Sequence, residues 1–177
     1  MKKKIIVFSG KQFSGKDTAA KILLDEFKTF KRIGIADAIK MMYSKQKGIS
    51  VEEIEKNKPL YRQDLIDLGN WGRAQSPDYW LNSIINYDGN TIVTDIRMKH
   101  ELDVFRSNGA FTVRVEASEE ARSKRGKLVS GNDDTETQLD SVTDWDYVLD
   151  NSGSYEDLQE NIKDLISAIE DKFGNNL

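Results

Sequence analysis

Lys4-Ile5-Ile6-Val7-Phe8-Ser9-Gly10-Lys11-Gln12-Phe13-Ser14-Gly15-Lys16-Asp17-Thr18 runs from a strand through a glycine-bounded loop into a helix. Between Lys4 and Ser9 the β-branched and aromatic run is unbroken, the pattern of a strand covered on both faces in a parallel sheet. From Lys16 to Phe30 the apolar residues Ala20, Leu23, Leu24 and Phe27 recur at helical spacing. The loop between them fits G-x-x-x-x-G-K, with Asp17 where the pattern expects Ser or Thr. Such a loop aims several backbone N–H groups inward, and Gly10 and Gly15 permit the angles it needs. The helix N-terminus adds about half a unit of positive charge, and Lys16 supplies an ammonium for β- and γ-phosphates. A motif this short arises by chance in roughly one chain in twenty of this length. Its place after a buried strand and before a helix selects the phosphate cradle over an accidental turn. The cradle, read as an ATP site, comprises Gly10, Lys11, Ser14, Gly15, Lys16, Asp17 and Thr18.

Outward from this point strands and helices alternate. A short strand is predicted at Arg32–Ile35, followed by helices over 36–47, 51–56, 61–73 and 78–87. Further strands are expected at 91–94, 111–115 and 147–149, and helices at 98–107 and 118–125, the latter with Ser118 as N-cap. The last helix carries Leu158, Ile162, Leu165, Ile166, Ile169 and Phe173 on one face, and 126–135 reads as a polar loop. Alternation of this kind predicts an α/β fold with about five parallel strands and helices on both faces. The nearly all-helical stretch 36–87 is too long for a simple crossover and reads as a substrate-binding insertion within one domain, 1–177.

Composition excludes several classes. The chain has 177 residues, 38% apolar and 32% charged, within the globular range. Against 26 Lys and Arg stand 30 Asp and Glu, a net charge of −4, which argues against polymeric nucleic acid as a partner but not against a local phosphate pocket. With no cysteine, disulfides, thiolate metal sites and cysteine nucleophiles are excluded. The single histidine, His100, rules out a multi-histidine metal site and argues against a Ser-His-Asp triad. Met1-Lys2-Lys3-Lys4 imitates the start of a signal peptide, but its apolar run is too short, and no stretch approaches the ~18 apolar residues of a span. The expectation is a cytoplasmic domain, monomer or homodimer, with no membrane partner.

Other residues extend the phosphate reading. Asp17 either holds a hard cation or only favours the first helical turn. Thr94-Asp95-Ile96-Arg97 ends a predicted strand, where parallel sheets bind ligands; Asp95 would help hold Mg²⁺ or merely cap a helix, and Arg97 would grip a phosphate. Arg122-Ser123-Lys124-Arg125-Gly126-Lys127, followed by Asp133-Asp134-Thr135-Glu136, is either a solvated helix end or part of a lid over 118–142 whose arginines reach the transferring group. Lys58, Arg62 and Arg73 lie among Tyr61, Trp71 and Trp80; the two arginines are eleven residues apart and share a helical face, as an acceptor site or as scattered surface charge. Asn151-Ser152-Gly153 follows the last strand, where a loop would cover adenine, and His100 reads as structural.

These stretches together resemble the nucleoside monophosphate kinase-like branch of the P-loop kinases over nearly the whole chain. FSGKQFSGKD from Phe8, YRQDLIDLG from Tyr61, IVTDIR from Ile92, FRSNGAFTVRVEASEEARSKRG from Phe105, DDTETQLD from Asp133 and WDYVLDNSG from Trp145 are similar to animal-type phosphomevalonate kinase. SGKDT, PDYW and DIRMKHELD are similar to phage-type deoxynucleoside monophosphate kinases. The overlap in the lid and C-terminal third is the greater with phosphomevalonate kinase. The resemblance implies a three-layer P-loop kinase fold, ATP and Mg²⁺ as cofactors and a small phosphorylated acceptor. Carried over by the match, Lys16 and Asp17 would serve ATP and Mg²⁺, and Lys58, Arg62, Arg73 and Arg97 the acceptor phosphate; Asp95, from its place at the strand end, is expected beside the metal and the acceptor. Arg122 and Arg125 would be lid arginines.

Two departures bear on the acceptor. Gln12 and Met98 stand where phosphomevalonate kinases carry basic residues, and losing two charge-assisted contacts disfavours an acceptor bearing a carboxylate as well as a phosphate. A nucleotide needs its phosphate gripped and its base stacked, for which Tyr43, Tyr61, Trp71 and Trp80 are candidates. The expected reaction is therefore γ-phosphoryl transfer from ATP to a (deoxy)nucleoside monophosphate, with phosphomevalonate as the alternative. The rival of another class is a nucleotide-binding or ATP-hydrolysing module without an acceptor.

Overall fold

The structure, a computed structural model, describes residues 3–128 and 137–174. The chain packs as two compact units, one formed by residues up to Arg32 and from Asp88 onward, the other by Ile33–Tyr87.

The first unit is built on a parallel sheet of β1 (Ile5–Ser9), β2 (Phe30–Arg32), β3 (Asn90–Val93), β4 (Phe111–Glu116) and β5 (Tyr147–Asp150) in the order β2-β3-β1-β4-β5. All five residues of β1 are buried, as its unbroken apolar run requires of a central strand. Ile6 and Phe8 join Leu23 of α1 (Lys16–Glu26) and Leu158, Ile162, Leu165 and Ile169 of α8 (Tyr155–Phe173) in one core. Helix α6 (Lys99–Ser107) contributes the fully buried Leu102 and Phe105. Ser118 caps α7 (Glu119–Arg125), its hydroxyl accepting from the Ala121 N–H at 3.1 Å. Because β1 has β3 on one side and β4 on the other, the loop after it opens at the switch point of the sheet, where α/β folds bind ligands. No helix among the described residues is long and apolar enough to cross a membrane.

The end of the first helix and the placing of the second strand differ from the sequence reading. The first helix stops at Glu26 rather than Phe30, and the second strand is Phe30–Arg32 rather than 32–35. Phe27 and Phe30 are both buried with ring centroids 5.8 Å apart, joined by a turn in which the Phe30 N–H bonds Phe27 O at 3.0 Å. A three-residue apolar spacing therefore serves the turn as well as it would serve a helix. Strand pairing then decides, with Phe30 opposite Asn90 and Arg32 opposite Ile92.

The second unit holds α2 (Ile35–Lys47), α3 (Val51–Lys56), α4 (Lys58–Gln75) and α5 (Tyr79–Ile85). Helix α4 starts three residues earlier than expected because Pro59 is tolerated in a first turn, where its missing N–H has no intrahelical duty. Gly72 of α4 meets the Trp80 indole of α5; a Cβ there would come within 2.6 Å of the ring. We expect Gly72→Ala to lower stability by about 1–3 kcal/mol through overpacking, read as a lower Tm. An unchanged Tm would mean that the Trp80 ring is loosely held.

Candidate active site

The loop between β1 and α1 is tightly wound. Gly15, with φ of 98°, lies in the left-handed region, and a Cβ there would sit 2.1 Å from the Asn151 amide nitrogen. That amide donates to Ser14 O at 2.7 Å, so the loop after β5 is clipped directly onto the phosphate loop. Phe13 also takes a positive φ, 58°. The Lys16 ammonium donates to Gly10 O at 2.6 Å and Lys11 O at 3.0 Å, which holds it across the loop mouth. Thr18 lies in the first turn of α1 and is exposed.

A cleft of about 360 Å³ adjoins the loop, lined by Lys11, Ser14, Val115, Glu116, Ser118, Arg122 and Ser152, among others. Ser14 is fully buried, and neither its Oγ nor the buried Arg122 Nε has a hydrogen-bond partner among the described residues. Donors of this kind beside a helix N-terminus fit an anionic, oxygen-rich ligand such as a nucleotide phosphate chain.

The two predicted lid arginines differ. Arg122 lines this cleft and donates to Gln12 O at 3.4 Å. Arg125 donates to Asn151 O at 2.6 Å, Phe13 O at 3.3 Å and Gly153 O at 3.4 Å, so its guanidinium braces two loops. The acidic residues Asp133, Asp134, Thr135 and Glu136 lie outside the described residues.

Asp17 Oδ1 accepts from the Thr94 hydroxyl at 3.0 Å and from Arg32 at 3.1 Å, while Arg32 Nε donates to Thr94 at 3.0 Å. Arg32 was not legible as a site residue, since only sheet pairing brings β2 beside β3. Among the described residues no three Asp, Glu, His or Cys side chains gather as a metal cage. The Asp17 carboxylate beside the Thr94 hydroxyl, with Asp95 next in the chain, offers oxygen ligands of the kind Mg²⁺ takes, an ion that needs one or two carboxylates and completes its shell with substrate phosphate and water. Arg97, beyond Asp95, is exposed; its backbone N–H and that of Met98 donate to Glu101 at 2.8 and 3.0 Å. His100 is exposed on α6.

A second ionic group escaped the sequence reading. Asp140 pairs with Lys11 of the loop at 2.8 Å and with Arg114 of β4 at 2.7 Å. Burial alone would raise the Asp140 carboxyl, but the Lys11 ammonium and then the Arg114 guanidinium outweigh it and hold it below its usual range.

In the second unit Lys58, Arg62 and Arg73 line one groove of about 610 Å³ with Ile39, Lys40, Pro59, Leu65, Ile66, Gly69 and Asn70. Lys40 pairs with Asp37 at 3.2 Å and with Glu55, and Lys58 pairs with Glu55 at 2.6 Å. The Glu55 carboxyl is thereby pulled below its usual range, first by Lys40 and then by Lys58. Among the described residues Arg73 donates only to the neutral Asn70 amide, at 3.1 Å, and nothing pairs with Arg62. Asp95 and Arg97, read with this set, belong to the first unit.

Two of the four stacking candidates are core instead. Trp80 is buried with its indole N–H on Gly69 O at 3.0 Å. Tyr43 is buried with its hydroxyl on Asp64 at 2.5 Å, which pushes its pKa up to about 12. Packing claimed these rings because α2, α4 and α5 must cover one another. Trp71 remains 46% exposed, edge-on to Tyr79.

The chain matches the family model of phosphomevalonate kinase over residues 8–111 and that of deoxynucleotide monophosphate kinase over residues 63–162, each more than half its length. The first match stops short of the lid region, which the second spans, although the motifs there had pointed more to phosphomevalonate kinase. Among solved structures it is similar to shikimate kinase from Aquifex aeolicus, with a TM-score of 0.53 and 16% identity over 94% of this chain and 96% of that one. A gluconokinase from Sinorhizobium meliloti gives 0.54 and 15% over 96% and 93%. At these identities the likeness is one of fold.

Proposed function

This chain belongs to the phosphomevalonate kinase and deoxynucleotide monophosphate kinase families of P-loop kinases, and from that premise we propose that its acceptor is a (deoxy)nucleoside monophosphate. Family membership makes it an ATP-dependent phosphotransferase, which sets aside the sensor without an acceptor. The observation that carries the acceptor reading is the groove of the second unit. Its lysines are neutralised by Asp37 and Glu55, whereas Arg62 and Arg73 face it without a carboxylate. Two such guanidinium groups suit a phosphate dianion. The wall of Ile39, Pro59, Leu65 and Ile66 suits the flat ring face of a base, whereas the short, anionic mevalonate chain would leave it unfilled.

In the transfer an acceptor phosphate oxygen forms a bond to the γ-phosphorus as the bond to the β-bridging oxygen breaks, leaving ADP. The attacking oxygen is already ionised near neutral pH, so no general base is needed, which agrees with a chain that has no cysteine and one histidine. The work left to the protein is alignment and charge stabilisation, by Lys16 and the amides at the start of α1 on the β- and γ-phosphates and by Arg122 on the transferring group. Arg125 holds the two loops in place. Asp17 and Asp95 would hold Mg²⁺, which when bound neutralises phosphate charge. Asp17→Ala is expected to raise the Mg²⁺ needed for half-maximal rate about tenfold, and Asp17→Ser to recover part of the loss. Superimposable Mg²⁺ titrations of parent and Ala variant would refute the metal role.

The match over residues 8–111 supports phosphomevalonate as the second reading. A transfer assay with ATP, each nucleoside monophosphate and phosphomevalonate separates the two by kcat/KM. Efficient use of phosphomevalonate with every nucleotide refused would reverse the order.

A further inference from the structure

We propose that Asp140 is a positioning residue of the phosphate loop, fixing the Lys11 ammonium at the edge of the cleft so that ATP affinity depends on a carboxylate that never touches ATP. The proposal rests on reading residues 10–16 as the loop that holds the ATP phosphates.

Lys11 is the loop's only cation besides Lys16, and it lines the cleft with Ser14 and Arg122. Left alone, a lysine on a four-carbon stem samples many rotamers, and ordering it must then be charged against ligand binding. Asp140 removes that freedom beforehand, since its Oδ2 takes the Lys11 ammonium at 2.8 Å. Asp140 is itself held by a rigid partner. Its Oδ1 accepts from Arg114, which is buried on β4, lies in register with Ser9 at the end of β1 and donates to the Ser9 hydroxyl at 3.2 Å. The Arg114 guanidinium lies 6.0 Å from the Trp145 ring centroid, and the Trp145 indole donates to Val142 O at 3.0 Å. Leu139, next in the chain to Asp140, is buried. The carboxylate is thus bolted to the strand from which the loop springs.

The Lys11–Asp140 pair is a poor stability device. Both side chains are 36% exposed, and ion pairs this wet contribute little to folding. Its charge balance points to a ligand instead. Lys11 and Arg114 share the one Asp140 carboxylate, so neither cation is fully neutralised by it, and two of the ammonium's three donors remain for an incoming anion once Asp140 has taken one.

The test is a double-mutant cycle on the full chain, reading ATP affinity by calorimetry together with kcat and the KM for ATP. Lys11→Met and Asp140→Asn should each weaken ATP binding about tenfold with kcat within about twofold, and the double variant should be no weaker than Lys11→Met alone. Additive losses, or an Asp140→Asn protein that binds ATP as well as or better than the parent, would overturn the proposal. If Asp140→Asn fails to fold because Arg114 loses its counter-charge, Asp140→Glu keeps that charge, displaces the carboxylate by one methylene and is put through the same cycle. Should Lys11→Met and Lys16→Ala both leave ATP affinity at the parent value, the loop assignment falls and takes the proposal with it. That result is distinct from a silent Asp140 beside an effective Lys11.

Discussion

Lys16→Ala is expected to lower kcat by about a thousandfold or more while leaving the fold intact. The ammonium lies across the loop mouth on the carbonyl oxygens of Gly10 and Lys11, so it is already placed where the phosphate chain would enter. Charge stabilisation at the transferring group is the main resource of a phosphotransferase that needs no general base, and a lost preorganised cation is not replaced by water. Stability should change little, because Lys16 opens α1 at a loop and fills no core position; the core face of that helix is Ala19, Ala20 and Leu23. Single-turnover kinetics and thermal unfolding are the two measurements. Activity within about tenfold of the parent would contradict the assignment.

The second large effect is expected on the acceptor side. Arg62→Ala and Arg73→Ala should each raise the acceptor KM by about tenfold to a hundredfold, with the KM for ATP nearly unchanged. The physical reason is the charge state of the groove. Lys40 and Lys58 are already paired, so when one arginine goes only the other is left to hold the phosphate. Arg62→Lys should recover only part of the loss, because an ammonium cannot offer a planar fork to a phosphate. A drop in kcat at unaltered acceptor KM would move these arginines from binding to chemistry. Loss of ATP affinity instead would remove them from the acceptor site.

Much of the fold was legible because its signals are local. The run Ile5–Phe8 could only be a strand buried on both faces, the glycines and Lys16 mark the loop wherever it lies, and Ser118 caps a helix by contacts within one turn. Where the reading slipped, at Phe27–Phe30, one apolar spacing serves two local geometries. The arginines of α4 were legible as a pair because helical spacing is itself a distance, and both line one groove. Their standing as the groove's unneutralised cations was not, because it depends on Glu55 of α3 reaching Lys40 of α2.

By itself the sequence determined the class of protein. A strand–loop–helix with G-x-x-x-x-G-K, alternating elements, no cysteine and one histidine leave an α/β phosphate-binding enzyme that works without thiol or histidine-triad chemistry. Tertiary structure alone decided which charges are committed and which are available. It paired Asp17 with Arg32 and Thr94, Lys11 with Asp140, and Arg125 with the carbonyls of two loops, and it withdrew Tyr43 and Trp80 into the core. An ionic or aromatic side chain bonds whatever the sheet order and helix packing bring within about 3–6 Å of it, and that neighbour is set by contacts remote in the chain.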